Sequence, residues 1–179
     1  MTFKIISYAT YNQKYLDYAE RLIQFFADFN YNDYNITYYD KAKNKMEGCL
    51  LKPSFILSKL YEYQNDVLYM DIDSIIFKNP EIEINYNFDI GFVFTPERKN
   101  IISDSIHYWK YNSTTIQFLK DWKEKCNDKS LKSLDHHRLI DTYNEYKNSI
   151  SSVLFADLRP YIRNWYNAEF SESKQIIEY

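Results

Sequence analysis

The stretch that most constrains this chain is Val67-Leu68-Tyr69-Met70-Asp71-Ile72-Asp73-Ser74-Ile75-Ile76-Phe77. An apolar run meets two carboxylates, one residue apart, and then turns apolar again. Runs of this length with β-branched and aromatic residues predict a buried strand. Side chains alternate along a strand, so Asp71 and Asp73 are expected on one face and Ile72 on the other. Two strand rises would place their Cα atoms roughly 6–7 Å apart. Carboxylates that close repel unless a proton or a cation lies between them. Hard divalent ions prefer oxygen ligands and often take only one or two from protein, with water and phosphate completing the shell. The pair therefore points to a metal–phosphate site.

Composition limits how a phosphate could be held. Only two glycines are present in 179 residues, which excludes a glycine-rich phosphate loop. Metal, Lys or Arg, or a helix N-terminus must serve instead. The length suits one domain with one core. A hydrophobic fraction of 45% marks a globular chain. The formal charge of −3 gives no footprint for nucleic acid. Cys49 and Cys126 are too few for a disulfide scaffold or a cysteine zinc site, and each reads as a small core residue. The first residues lack the charged and apolar regions of a signal peptide. No apolar run approaches the ~20 residues of a membrane helix. A cytoplasmic protein is expected.

Taken in order, Phe3 to Ala9 predicts a first strand and Thr10-Tyr11-Asn12 a loop, with Asn12 or Thr10 as N-cap. Tyr15, Tyr18, Ala19, Leu22, Phe25, Phe26 and Phe29 recur at helical spacing, predicting a helix over 13–29. Asn30 to Asn35 is turn chemistry, Ile36 to Tyr39 a second strand, and Lys41 to Lys45 a solvated loop. Lys52-Pro53 opens a helix, since proline suits the first helical position. Its expected buried stripe is Ile56, Leu57, Leu60 and Tyr63. Lys78-Asn79-Pro80 breaks the chain, and Phe88 to Phe94 is a further strand. Ser105 to Tyr111 predicts another, followed by a helix capped by Asn112 or Ser113. A last helix starts near Ser133, with His136, Leu139, Ile140 and Tyr143 on one face. The tail from Val153, with Arg159, Arg163, Trp165 and Tyr166, shows no period. Strands alternating with helices imply a single α/β domain with a mainly parallel central sheet flanked by helices. Ligands of such sheets bind outside the carboxyl ends of the strands, where Thr10, Asp40, Asp71 and Asp73 fall.

The residues also carry a resemblance. Lys52-Pro53-Ser54-Phe55-Ile56-Leu57, then Val67 to Ile76 with its Asp-x-Asp, then Lys78-Asn79-Pro80, resembles the core of GT-A-fold glycosyltransferases. Ser105-Ile106-His107-Tyr108-Trp109-Lys110-Tyr111-Asn112-Ser113-Thr114 is similar to the family's acceptor-side strand and turn. Phe118 to Trp122 resembles the helix that follows. Ser133-Leu134-Asp135-His136-His137-Arg138-Leu139 resembles a Ser-x-Asp-Gln-x-x-Leu helix start. The chain has Ser105 where Gly is frequent and His136 where Gln is frequent. No His follows His137, where many members carry a late metal-binding histidine.

The resemblance implies a Rossmann-like GT-A domain over 1–179, with 1–100 holding the nucleotide sugar and 101–179 forming the acceptor side and tail. It implies transfer of a sugar from a nucleotide-diphosphate sugar to a glycan, lipid or protein acceptor, with Mn²⁺ or Mg²⁺ as cofactor. Asp73 would bind the metal directly, and Asp71 would bind it through water or hold the ribose. Lys52 at a helix N-terminus suits a phosphate. Thr10 and Tyr11 are candidates for ribose and base contacts. Asp135 and His136 are the catalytic candidates, with Asp135 a carboxylate for the donor sugar, or for the acceptor hydroxyl as a base in an inverting enzyme. Two alternatives stand beside this. A non-catalytic sugar-nucleotide-binding protein would keep the metal pair without transfer. A haloacid-dehalogenase-type phosphatase would use the first aspartate as nucleophile, but that family places the motif near the N-terminus.

Overall fold

Alternation along the first strand sets the layers. The computed structural model describes residues 3–40, 45–76, 88–95, 101–128, 130, 133–155 and 162–164. In strand β1 (Lys4–Thr10), Ile5 and Ala9 face one helix, α1 (Gln13–Asp28), while Ile6 faces the opposite layer. That opposite layer is built from α3 (Lys52–Tyr63), α4 (Ser113–Asn127) and α5 (Asp135–Tyr146), with the short α2 (Lys45–Leu50) beside them. Strand β3 (Val67–Met70) repeats the division: Leu68 and Met70 join the α1 core, Val67 and Tyr69 the other. Both cores are apolar, so the sheet is covered on both faces, as mainly parallel sheets are.

The central sheet has six strands in the order β2-β1-β3-β6-β5-β7, with β2 (Tyr34–Tyr39), β5 (Ile90–Thr95), β6 (Ile101–Trp109) and β7 (Ser152–Phe155). β1 runs parallel to β2 and β3, and β5 runs parallel to β7. β6 lies antiparallel to both of its neighbours. A second sheet pairs β4 (Ser74–Ile76) with β8 (Ile162–Asn164). The expected α/β architecture is therefore the observed one.

Local chemistry explains the helix ends. Asn12 caps α1 by accepting from the Lys14 N–H at 3.1 Å, and Asn30, at φ 53°, takes the left-handed position that closes it. Asn112 caps α4 by accepting from the Thr115 N–H at 2.8 Å and donates to Asp89 at 2.6 Å. Asn112→Ala should cost roughly 1–2 kcal/mol, the range for a lost cap and one further hydrogen bond. A urea midpoint equal to that of the unaltered protein would show that the cap contributes nothing.

Several expectations need correcting. The run from Val67 to Phe77 is not one strand. It is β3, a turn at 71–74, and β4 in a different sheet; Phe77 lies outside the described residues. Asp71, Asp73 and Ser74 are turn formers, and Ser74 N–H donates to the Asp71 carbonyl at 3.0 Å. The strand spacing derived for the two aspartates therefore does not apply. Lys45 begins α2 instead of ending a loop, and 41–44, like Lys78-Asn79-Pro80, are outside the described residues. On α5 the buried face is Asp135, Arg138, Leu139 and Thr142, so His136 flanks it. On α3, Lys52, Pro53, Phe55 and Lys59 are buried besides the expected Ile56, Leu57 and Leu60, while Tyr63 is half-buried.

Candidate active site

α3 and α5 each precede or follow a strand in the sense that brings their N-termini to the edge where β1, β2 and β3 end. That edge collects the polar residues singled out in the sequence. β3 ends with the Asp71 N–H donating to the Ser105 carbonyl of β6 at 2.8 Å. The chain then turns, Ile72 is buried in the α1 core, and Asp71 and Asp73 remain partly exposed.

Lys52 is the hinge of the arrangement. It opens α3 and is only 3% exposed. Its Nζ lies 3.3 Å from Oδ1 of Asp71 and 2.9 Å from Oδ2 of Asp135. The Asp71 side chain is 27% exposed and that of Asp135 2%. The contact to Asp135 is an ion pair by distance whose angle falls outside hydrogen-bond geometry, and among the described residues Oδ2 of Asp135 accepts no hydrogen bond. Two carboxylates on one ammonium leave a net negative charge, and Asp73 adds to it. Burying these charges is costly, and their pairing with one another offsets part of that cost.

Tyr69, in β3 and two residues before Asp71, donates its hydroxyl to Asp71 Oδ1 at 2.6 Å. Its ring also lies 5.5 Å from the Lys52 ammonium. Burial, reinforced by the Asp71 charge, pushes the Tyr69 phenol well above its ordinary range, so it stays a proton donor at neutral pH. Burial does the same to Tyr8, whose hydroxyl donates to the Gly48 carbonyl at 2.9 Å. Behind Asp135, Trp122 donates its indole N–H to the Asp135 carbonyl at 3.1 Å. Arg138 donates to the Lys125 carbonyl at 2.6 Å and to the Ser133 carbonyl at 3.1 Å. These bonds tie the start of α5 to α4. Cys126 is pushed up to about 12, first by burial and then by Asp135, which makes it an inert thiol.

The structure thus brings together Lys52, Asp71 and Asp135. Thr10 and Tyr11 sit at the same edge on the β1–β2 side, outside the ion-paired group. Thr10 is buried in register with Tyr39, whereas Tyr11 is 56% exposed and stacks on Tyr38 with ring centroids 6.1 Å apart. His136 follows Asp135, with its ring 3.7 Å from that of His137. Arg163 is opposite Ile75 in the β4–β8 pair, and Arg159, Trp165 and Tyr166 lie outside the described residues.

Among the described residues no group of three or more His, Cys, Asp or Glu is placed to hold a metal. The Asp71–Asp73 turn nevertheless fits a hard divalent ion. It offers carboxylate oxygens only, both residues are reachable from solvent, and such ions commonly take two protein ligands beside phosphate and water. Sequence reading missed Tyr69, Trp122, Tyr38 and the bridging role of Lys52. A tyrosine two residues before the first aspartate was the one available signal.

No protein-family model matches the chain, and no curated protein matches it. Among solved structures it is similar to one described as the crystal structure of a glycosyltransferase involved in the glycosylation of the major capsid of PBCV-1. The match has a TM-score of 0.64 and 12% sequence identity, and covers 95% of this chain and 99% of that one. At that identity the likeness establishes a shared fold over nearly the whole length. Among the described residues no helix is long and apolar enough to cross a membrane.

Proposed function

We propose that the chain is a metal-dependent glycosyltransferase that moves a sugar from a nucleotide-diphosphate sugar to an acceptor hydroxyl. The observation that carries this reading is the meeting of Asp71 and Asp135 on Lys52 beside the Asp71–Asp73 turn. It lies at the edge where sheets of this kind bind ligands, in a fold shared with a glycosyltransferase.

In this reading Asp71 and Asp73 hold Mn²⁺ or Mg²⁺. Bound there, the ion would stabilise the charge that grows on the departing diphosphate. Lys52 keeps Asp71 and Asp135 at a fixed separation and adds positive charge beside the diphosphate. Thr10 and the exposed Tyr11 face the nucleoside end. Asp135 is buried and ion-paired, which suits accepting a hydrogen bond from a donor-sugar hydroxyl better than taking a proton from an acceptor that arrives from solvent. His136 borders that position on α5. The division into a nucleotide-sugar part over 1–100 and an acceptor side over 101–179 belongs to this same reading.

The test is calorimetry with a panel of nucleoside diphosphates. One of them should bind with Mn²⁺ present and fail to bind without it, and Asp73→Ala should abolish that binding. Nucleotide affinity indifferent both to the ion and to the substitution would remove the site assignment.

A further inference from the structure

We infer that Tyr69 is a positioning residue for the diphosphate end of this site, its hydroxyl fixing the plane of the Asp71 carboxylate. The inference rests on the proposed glycosyl-transfer reading. Asp71 sits at the start of a turn, where a short side chain has rotational freedom. Two donors converge on its Oδ1: the Tyr69 hydroxyl at 2.6 Å and the Lys52 ammonium at 3.3 Å. They are not equivalent. An ammonium is a compact charge on a flexible stem with rotatable donors, and Lys52 also serves Asp135. A phenol hydroxyl is directional, and this one is on a ring that cannot swing. The Tyr69 ring is packed by Phe55 at 6.2 Å, Tyr8 at 6.1 Å and His107 at 5.8 Å between centroids. Lys52 therefore supplies charge and Tyr69 supplies direction. Carboxylates that bind metals are commonly held by such outer hydrogen bonds, and losing one weakens metal affinity or activity by roughly 10–100-fold.

The experiment compares Mn²⁺ uptake, read as the ion retained with the protein on ultrafiltration against a protein-free control, in the presence of inorganic pyrophosphate. Tyr69→Phe should weaken uptake by roughly 10–100-fold. Tyr8→Phe is the matched control: it removes a hydroxyl from the same aromatic cluster, but one bonded to a backbone carbonyl. It should lower the melting temperature of the metal-free protein about as much as Tyr69→Phe and leave Mn²⁺ affinity unchanged. Unaltered affinity in Tyr69→Phe overturns the inference, and so does equal weakening in Tyr8→Phe, which would mean general loosening of the core. Failure of the functional reading looks different: the unaltered protein would show no Mn²⁺ uptake with pyrophosphate, and Asp73→Ala would behave like it. If Tyr69→Phe does not fold, the hydroxyl proton of Tyr69 is followed by NMR in the unaltered protein. Its resonance should move when Mg²⁺ and pyrophosphate are added together, and a resonance that stays in place rejects the assignment.

Discussion

Replacing Lys52 by Met is expected to cost roughly 3–5 kcal/mol of folding stability, the cost of leaving a buried charge without its partner. Methionine keeps most of the volume and removes the ammonium. Asp71 and Asp135 then lose the ammonium they share, and Asp135 is almost fully buried. Adding Asp135→Asn to Lys52→Met should return part of the loss, because the second substitution removes the stranded carboxylate. The coupling between the two positions should fall at about 0.5–3 kcal/mol, as for residues in one charge network. Urea titration of the two single variants and the double variant measures it. Strictly additive costs would mean that the ammonium does not neutralise Asp135.

Trp122→Ala should be about as severe, at roughly 3–5 kcal/mol for a large aromatic removed from a core. Trp122 is fully buried, stacked 6.0 Å from Trp109 between ring centroids, and bonded through its indole N–H to the Asp135 carbonyl. A milder pair separates packing from hydrogen bonding. Trp122→Phe leaves that carbonyl without its donor. Trp109→Phe loses no such bond, since the Trp109 indole N–H has no hydrogen-bond partner among the described residues. The first should therefore cost about 1 kcal/mol more than the second. Equal midpoints at equal slope would show that the bond to α5 is energetically idle.

The sequence showed the layers more clearly than the site. Apolar spacing over α1 and the capping residues Asn12 and Asn112 mark their elements without tertiary information. Strand direction has no such signature: β6 reads as any other apolar run, and only its partners reveal that it is antiparallel. The turn at 71–74 was hidden because Asp71, Ile72 and Asp73 alternate polar and apolar inside a longer apolar run, and the polar pair Asp73-Ser74 is too short a signal to tell a turn from a strand. β7 and β8 are too short to show a period. In the site, Lys52, Asp71 and Asp135 were each visible by residue type and place. Their convergence was not, because Lys52 and Asp135 open helices far apart in the chain and meet only when both helices pack on the same face. Tyr69 and Trp122 read as core aromatics, since nothing in a sequence tells which polar tip finds a partner.

The antiparallel β6, seated between β3 and β5, has a consequence for synthesis on the ribosome. β3 can pair with β1 as soon as both have emerged, but its other edge has no strand until residue 109 is made. At roughly 5–20 residues per second that interval lasts about 2–8 s. Meanwhile the nascent chain carries a bare edge of Val67-Leu68-Tyr69-Met70, all four buried in the finished protein. Such an edge is a template for pairing with other chains. Yield in cells should therefore depend on how quickly residues 101–109 follow and on holdase chaperones that shield the edge until they arrive.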